Sequence, residues 1–391
     1  MEFLKRTWID ISLDHLAYNY ETLRGRLSPS TKFMGIVKAD AYGHGAVMIS
    51  HTLEELGAEY LAVSNLEEAW QLRNGGVRLP ILILGHVPAK FAETEADSGI
   101  RQEVNDVEYA RELNEALRGS GKRLKVHIKL DTGMSRLGFF AYGRLKTLDE
   151  ITEISSMEHL EIEGIFQHFC AADSTEPDAQ DFTALQFRRF TAMLENLAAA
   201  GIRPALRHCC NSAAMLLRPE YQLDMVRPGI VLYGHLPDPS LAGTVNLRPV
   251  LSWRAAIAQI RTFPAGIPVS YGRTWTTPKE SRIAVLPVGY ADGLSRSLSN
   301  RVSFLLNGRP VPQVGRICMD MCMLDVTDFP EARVDDAVTI LGTDGERTCS
   351  CEDMAEKTGT IPYEILCNIS KRVPRVFYRN GENAGTLRYI V

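Results

Sequence analysis

Short apolar runs alternate with amphipathic stretches over the first ~240 residues, a rhythm that predicts repeated strand–helix units. The runs are Phe33–Val37, Tyr60–Val63, Ile81–Leu84, Gln102–Val104, Leu124–Leu130, Ile162–Phe166, Ala205–Cys210 and Met225–Arg227. Helical patterns lie between them, at His51–Leu56, Leu66–Arg73, Val107–Leu117 and Leu185–Ala200. In the last of these, Leu185, Phe187, Phe190, Met193, Leu194 and Leu197 mark one apolar face. Gly57, Gly75, Gly121 and Gly201 each follow a helical pattern, where a terminating glycine is expected. This succession predicts a (β/α)8 TIM-type barrel rather than an open sheet, with Gln102–Val104 as its weakest strand. No Gly-x-Gly-x-x-Gly follows the first run, which argues against a dinucleotide fold.

The texture changes near Leu247. Ala255–Ile260, Ile283–Val288, Arg301–Leu305 and Ala337–Ile340 read as strands separated by Gly, Pro and Asn turns. Only Cys351–Lys357 and Tyr363–Ile369 read as helices. The expected division is a barrel over residues 1–243 and a mainly β domain over 244–391, with residues 1–10 available to pair with the second.

Composition narrows the possibilities. The 391 residues are 45% hydrophobic and 23% charged, the balance of a soluble globular protein that can bury its own core. A net charge of −5 gives no reason to expect nucleic acid as a partner. No apolar run approaches the ~20 residues that span a bilayer, so no membrane partner is expected. The start, Met1-Glu2-Phe3-Leu4-Lys5-Arg6, lacks the layout of a secretory signal, and a free-standing cytoplasmic protein is the expectation. The eight cysteines form no Cys-x-x-Cys framework, so they read as reduced thiols and no metal is expected.

Reactive groups of such a barrel gather at the carboxyl ends of its strands. Lys38, Arg136, His168, Asn211 with Ser212, and Arg227 all fall there. Lys38 ends the run Gly35-Ile36-Val37. It is either a lysine snorkelling to the rim or an amine that burial makes easier to deprotonate, as covalent imine chemistry requires. The following Ala39-Asp40-Ala41-Tyr42-Gly43-His44-Gly45 favours chemistry, because its glycines let backbone approach a ligand and Tyr42 can bond a phosphate. Asn211-Ser212 and Arg227-Pro228-Gly229-Ile230 end the last two runs, where barrels bind phosphate. Asn211 equally fits a helix cap, and the two roles are compatible.

Val37-Lys38-Ala39-Asp40-Ala41-Tyr42-Gly43-His44-Gly45 resembles the cofactor-lysine motif of the alanine racemase family. Lys129-Leu130-Asp131-Thr132-Gly133-Met134-Ser135-Arg136-Leu137-Gly138, Arg227-Pro228-Gly229-Ile230, Ser270-Tyr271-Gly272, Ile317-Cys318-Met319-Asp320 and Tyr363-Glu364-Ile365-Leu366-Cys367 match too, in the family's order. The similarity runs from Thr7-Trp8 to Arg375, nearly the whole chain. It implies a pyridoxal 5′-phosphate barrel followed by a β domain, and interconversion of L-alanine and D-alanine that supplies D-alanine for peptidoglycan.

Racemisation removes a proton from one face of a planar carbon and returns one to the other, which two opposed bases accomplish directly. By resemblance, Lys38 binds the cofactor and serves the D-alanine side, and Tyr271 serves the L-alanine side. A tyrosine base needs a cationic or hydrogen-bonding environment, and His168 and Arg227 are the expected neighbours. The resemblance also places Arg227 at the pyridine nitrogen, where a permanent cation weakens the electron sink and limits transamination. Arg136 meets the substrate carboxylate, together with the backbone of Met319, whose side chain and that of Cys318 can be plain core. Lys129 matches a lysine often carbamylated, which would steady Arg136 instead of repelling it. Tyr42, Leu84, His168, Asn211, Ser212, Gly229, Ile230 and Tyr363 are the remaining expected cofactor contacts, and Asp320 is a supporting residue. His168 also fits a satisfied core histidine. In the family, Tyr271 and Met319 enter the site from a partner subunit, which implies a homodimer with composite sites.

Rival readings are a barrel decarboxylase of the same cofactor class, a serine or broad-specificity racemase, and a non-catalytic pyridoxal-phosphate carrier. Decarboxylases favour a carboxylate where this chain offers Arg227. Tyr363 favours alanine over serine, and carriers lack a second domain bearing Tyr271.

Overall fold

The computed structural model describes residues 4–143 and 146–390. It divides into two compact units, the first comprising Ala17–Ala41 and Ala46–Leu247, the second the residues up to Leu16, Tyr42–Gly45 and those from Arg248 onward. Strand β1 (Thr7–Ser12) belongs to the second unit.

In the first unit, eight parallel strands form the sheet. They are β2 (Lys32–Ile36), β3 (Tyr60–Val63), β4 (Ile81–Ile83), β5 (Ile100–Val104) and β6 (Leu124–Asp131), then, beyond the short β7 (Phe139–Phe140), β8 (Leu160–Phe166), β9 (Leu206–His208) and β10 (Met225–Val226). Their order is β10-β2-β3-β4-β5-β6-β8-β9, with β7 beside β6. Asp224 N donates to Arg207 O at 3.1 Å and Arg227 N to Cys210 O at 3.0 Å, tying β10 back to β9. The TIM-type expectation is met. Strands buried on both faces read as unbroken apolar runs, and Phe33, Leu61, Ile83, Val104, Ile128 and Ile165 are fully buried. The fourth run looked weak for a physical reason: its Gln102 and Glu103 are polar yet buried.

Helix starts carry side-chain caps. Asn65 Oδ1 accepts from Glu68 N, Asp106 Oδ1 from Tyr109 N and Asn211 Oδ1 from Ala214 N. The helix Pro177–Ala199 begins eight residues ahead of the apolar face read from sequence, opened by Pro177 in its first turn. Gly75 corrects an expectation. It stays right-handed at φ −76°, and the left-handed residue is Gly76 at φ +85°. Gly75 is glycine for space, since a Cβ there would lie 2.6 Å from Val47.

In the second unit the strands are β11 (Leu251–Ala256), β12 (Gln259–Phe263), β13 (Pro268–Val269), β14 (Trp275–Thr276), β15 (Ser281–Leu286), β16 (Ser303–Leu306), β17 (Arg309–Val314), β18 (Cys322–Asp325), β19 (Ala337–Asp344), β20 (Arg347–Cys349), β21 (Arg375–Arg379) and β22 (Glu382–Leu387). The large sheet runs β12-β15-β18-β17-β16-β19-β11-β1-β21-β22, so the unit is mainly β, as expected. Strand β1 pairs antiparallel with β11 and parallel with β21. The single strand expected at Ala255–Ile260 is two strand ends. Ile257 N bonds Asp336 O and Ala258 N bonds Val285 O, so the chain leaves one neighbour for another within two residues. Among the described residues, no helix is long and apolar enough to cross a membrane.

Candidate active site

The carboxyl ends of the barrel strands gather a concentrated positive charge. Lys38, Lys129, Arg136 and Arg227 all act on His168, whose pKa falls well below the ordinary histidine range through burial first and these four cations next. Five residues singled out from sequence therefore share one barrel mouth. Arg136 is exposed on the loop after β6, whereas Lys129 and Arg227 are buried.

Lys38 opens a segment of unusual hand. Ala39, Asp40, Ala41 and Tyr42 have φ between +51° and +56°, and Ala41 N bonds Val37 O at 2.9 Å, which makes one turn of left-handed helix. Each L-residue in that conformation costs about 1–2 kcal/mol. Side chains hold the segment in place: Glu68 Oε1 accepts from Ala39 N at 2.7 Å, and Asp40 Oδ1 accepts from Ala46 N at 2.9 Å.

Arg227 is clamped from one side. Its Nη1 donates to His208 Nδ1 at 2.9 Å, and its Nη2 to Gln167 O at 2.7 Å, His168 Nδ1 at 3.3 Å and Cys209 O at 3.2 Å. A guanidinium has only donors, so both Nδ1 atoms accept and the two neutral rings carry their protons on Nε2. Burial lowers the Arg227 pKa to about 10, leaving it a cation at neutral pH. Its Nε–H donates to no group among the described residues, so it is available to a ligand atom.

At the neighbouring strand ends, Ser212 Oγ accepts from Gly229 N at 2.9 Å, which frees its hydroxyl hydrogen for an anion. Asn211 caps the short helix Ser212–Leu217, and its Nδ2 donates to Phe169 O at 3.3 Å. Gly229 precedes the 3-10 turn Ile230–Tyr233, so helix-start N–H groups converge with the Ser212 hydroxyl. This donor set fits a phosphate, and Arg227 Nε fits a ring nitrogen with a lone pair. Leu84 follows β4, half-buried, with its N bonded to Val63 O at 2.9 Å.

In the second unit Tyr271 is 71% exposed and Met319 is 53% exposed, and both line a groove of about 710 Å³ with Ser270, Cys318 and Asp320. Ser270, at φ +67°, donates to Arg316 O at 2.6 Å and holds the Tyr271 loop against the Met319 segment. Met319 O accepts from Ala291 N at 3.0 Å. Met319 N donates to nothing among the described residues. Asp320 bonds Arg372 Nη2 at 2.9 Å, which anchors this turn. Tyr42 and Tyr363 form another pair, with ring centroids 5.9 Å apart, and burial pushes the Tyr42 hydroxyl well above its ordinary pKa.

Sequence reading missed Glu103, His127, Glu163 and His208. Buried Glu103 interacts with Lys129, Arg136 and Arg227, and burial raises its pKa. The available signal was alternation on β6, where His127 and Lys129, two apart, share one face.

Two family models match the chain: the N-terminal domain of alanine racemase over residues 11–237 and its C-terminal domain over residues 250–377. Alanine racemase 1 of Clostridium acetobutylicum is 42% identical over 388 residues, covering 99% of each chain. The Methanococcus maripaludis alanine racemase is 41% identical, covering 95% of this chain and 98% of the relative. Among solved structures, alanine racemase of Clostridium difficile 630 superimposes with a TM-score of 0.94 at 36% identity over all of both chains. That of Bacillus anthracis with bound L-Ala-P gives 0.93 at 34% identity, covering 100% of this chain and 99% of the other. The chain belongs to the alanine racemase family.

Proposed function

We propose that the chain interconverts L-alanine and D-alanine with pyridoxal 5′-phosphate, by two bases, and so supplies D-alanine for peptidoglycan. The observation that carries this reading is the convergence of Lys38, Lys129, Arg136 and Arg227 on His168 at the barrel mouth. When bound, the cofactor supplies a sink for the electron pair left at the α-carbon. Lys38 anchors it and moves the α-proton on the D-alanine side, and Tyr271 moves it on the L-alanine side. Arg227 presents Nε–H toward the ring nitrogen, and its fixed charge disfavours protonation there. Ser212, Gly229, Ile230, Asn211, Tyr42 and Tyr363 hold the phosphate end, with Leu84 and His168 against the cofactor. Arg136 and the Met319 N–H receive the substrate carboxylate, Asp320 steadies the Met319 turn, and Lys129, as a carbamate, orients Arg136.

The exposure of Tyr271 and Met319 beside one groove supports a homodimer in which these residues serve a partner's barrel. Lys38→Ala mixed with Tyr271→Phe should regain activity as mixed dimers form, and no recovery would refute shared sites. The reading takes the cytoplasm as its compartment, where eight free thiols stay reduced.

Incubation with L-alanine or L-serine in deuterated water separates the alternatives. Inversion of alanine with α-deuteration is expected. Faster turnover of serine would reassign the substrate, and no exchange on either would point to a non-catalytic carrier.

A further inference from the structure

Behind Arg227 lies a buried chain of hydrogen bonds that the proposed reaction does not use. Arg227 Nη1 reaches His208 Nδ1 at 2.9 Å, His208 Nε2 reaches His127 Nδ1 at 2.9 Å, and His127 Nε2 reaches Glu163 Oε2 at 3.2 Å. Both imidazoles are fully buried. The far end is pinned: Arg101 Nε lies 3.0 Å from Glu163 Oε2 and Lys125 Nζ 2.9 Å from Oε1.

The protons along this chain follow from its ends. The guanidinium can only donate, so His208 Nδ1 must accept and the proton of neutral His208 sits on Nε2. That N–H points at His127 Nδ1, which must accept in turn. His127 then carries its proton on Nε2 and donates to the carboxylate. Burial keeps both rings neutral, lowering the pKa of His127 and, with Arg227 beside it, that of His208 still further. Burial pushes the Glu163 carboxyl up, but hydrogen bonds from His127, Arg101 and Lys125 outweigh it and keep the group ionised. Every donor thus points away from Arg227. Reversal would set a His208 N–H against a guanidinium N–H.

Packing is fitted to this arrangement. Phe166 stacks on His208 with centroids 4.9 Å apart and planes within 2°. A Cβ at Gly164 would lie 2.5 Å from His127 Nδ1, so only glycine opposite β6 leaves room for the ring.

We propose that Glu163, His127 and His208 are positioning residues that fix the orientation and draw off part of the charge of the Arg227 guanidinium. A carboxylate at the end of a polarised chain strengthens each acceptor before it. The step rests on the reading that Arg227 faces the cofactor's ring nitrogen, but the proton arrangement does not.

Nitrogen-15 NMR of the full chain labelled at histidine, with and without pyridoxal 5′-phosphate, tests it. His127 and His208, assigned by His127→Asn and His208→Asn, should each show an unprotonated Nδ1 and a protonated Nε2. A protonated Nδ1 on His208, or an imidazolium, would overturn the proposal whether or not the protein racemises alanine. Glu163→Gln keeps an acceptor at the end of the chain but removes its charge. It should shift both histidine signals and lower kcat roughly tenfold, the scale of one hydrogen bond to a charged group, with KM for alanine changing far less. It should also change the fraction of turnovers lost to transamination, and Glu163→Asp should restore both. Unchanged signals and kcat in Glu163→Gln would refute the positioning role. Correct tautomers in a protein that moves no α-proton would instead remove the functional reading.

Discussion

Lys129 Nζ lies 4.9 Å from the centre of the Phe166 ring, and its one hydrogen bond among the described residues is a long one, 3.4 Å to Leu130 O. Burial lowers its pKa, and the charges of Arg227 and Arg136 add to this against the opposing Glu103. A neutral buried amine is the form that adds carbon dioxide. With 13C-bicarbonate, the holoenzyme should show a carbamate carbonyl signal that Lys129→Ala lacks. If the proposed carbamate steadies Arg136, the same variant should raise KM for alanine by about tenfold. An identical carbonyl signal in both proteins would place the adduct elsewhere.

Glu95 is fully buried, and neither carboxylate oxygen has a hydrogen-bond partner among the described residues. Burial raises its pKa from 4.5 to about 8. The folded chain therefore holds this proton where the unfolded chain has released it, so stability is full below pH 4.5 and is lost progressively toward pH 8. Glu95→Gln removes the loss. Denaturant titrations should find wild type and variant close at pH 4.5, with the variant ahead by a few kcal/mol, order of magnitude, at pH 8.5. A gap that does not widen with pH would contradict the assignment.

Gly164→Ala forces the added methyl against the His127 ring. Overpacking of this kind costs about 1–3 kcal/mol, and the urea midpoint should fall accordingly. If the midpoint holds, β8 shifts more easily than its pairing with β6 suggests.

The barrel was legible because parallel strands buried on both faces leave apolar runs such as Phe33–Val37, and because reactive side chains must stand where those runs end. The same rule picked out Ser212 and Gly229, whose contact with each other at the strand ends is part of the proposed phosphate site. The support behind Arg227 was not, since His127, Glu163 and His208 are far apart in sequence and meet only through the register of β6, β8 and β9. Gln102 and Glu103 hid the fourth strand for a related reason: a polar barrel interior breaks the pattern on which a strand is recognised. Handedness at Lys38 was also invisible, because Ala39 and Ala41 are good right-handed helix formers.

That reversed turn ties Lys38, the proposed anchor, to the integrity of the tertiary packing. Four L-residues wound against their preferred hand represent about 4–8 kcal/mol that a detached peptide has no means of supplying. The turn should therefore relax early when mild denaturant or heat loosens the side-chain contacts that hold it. Catalytic competence should vanish at lower urea than the far-ultraviolet helical signal, as though a cocked spring were released while the frame around it still stood.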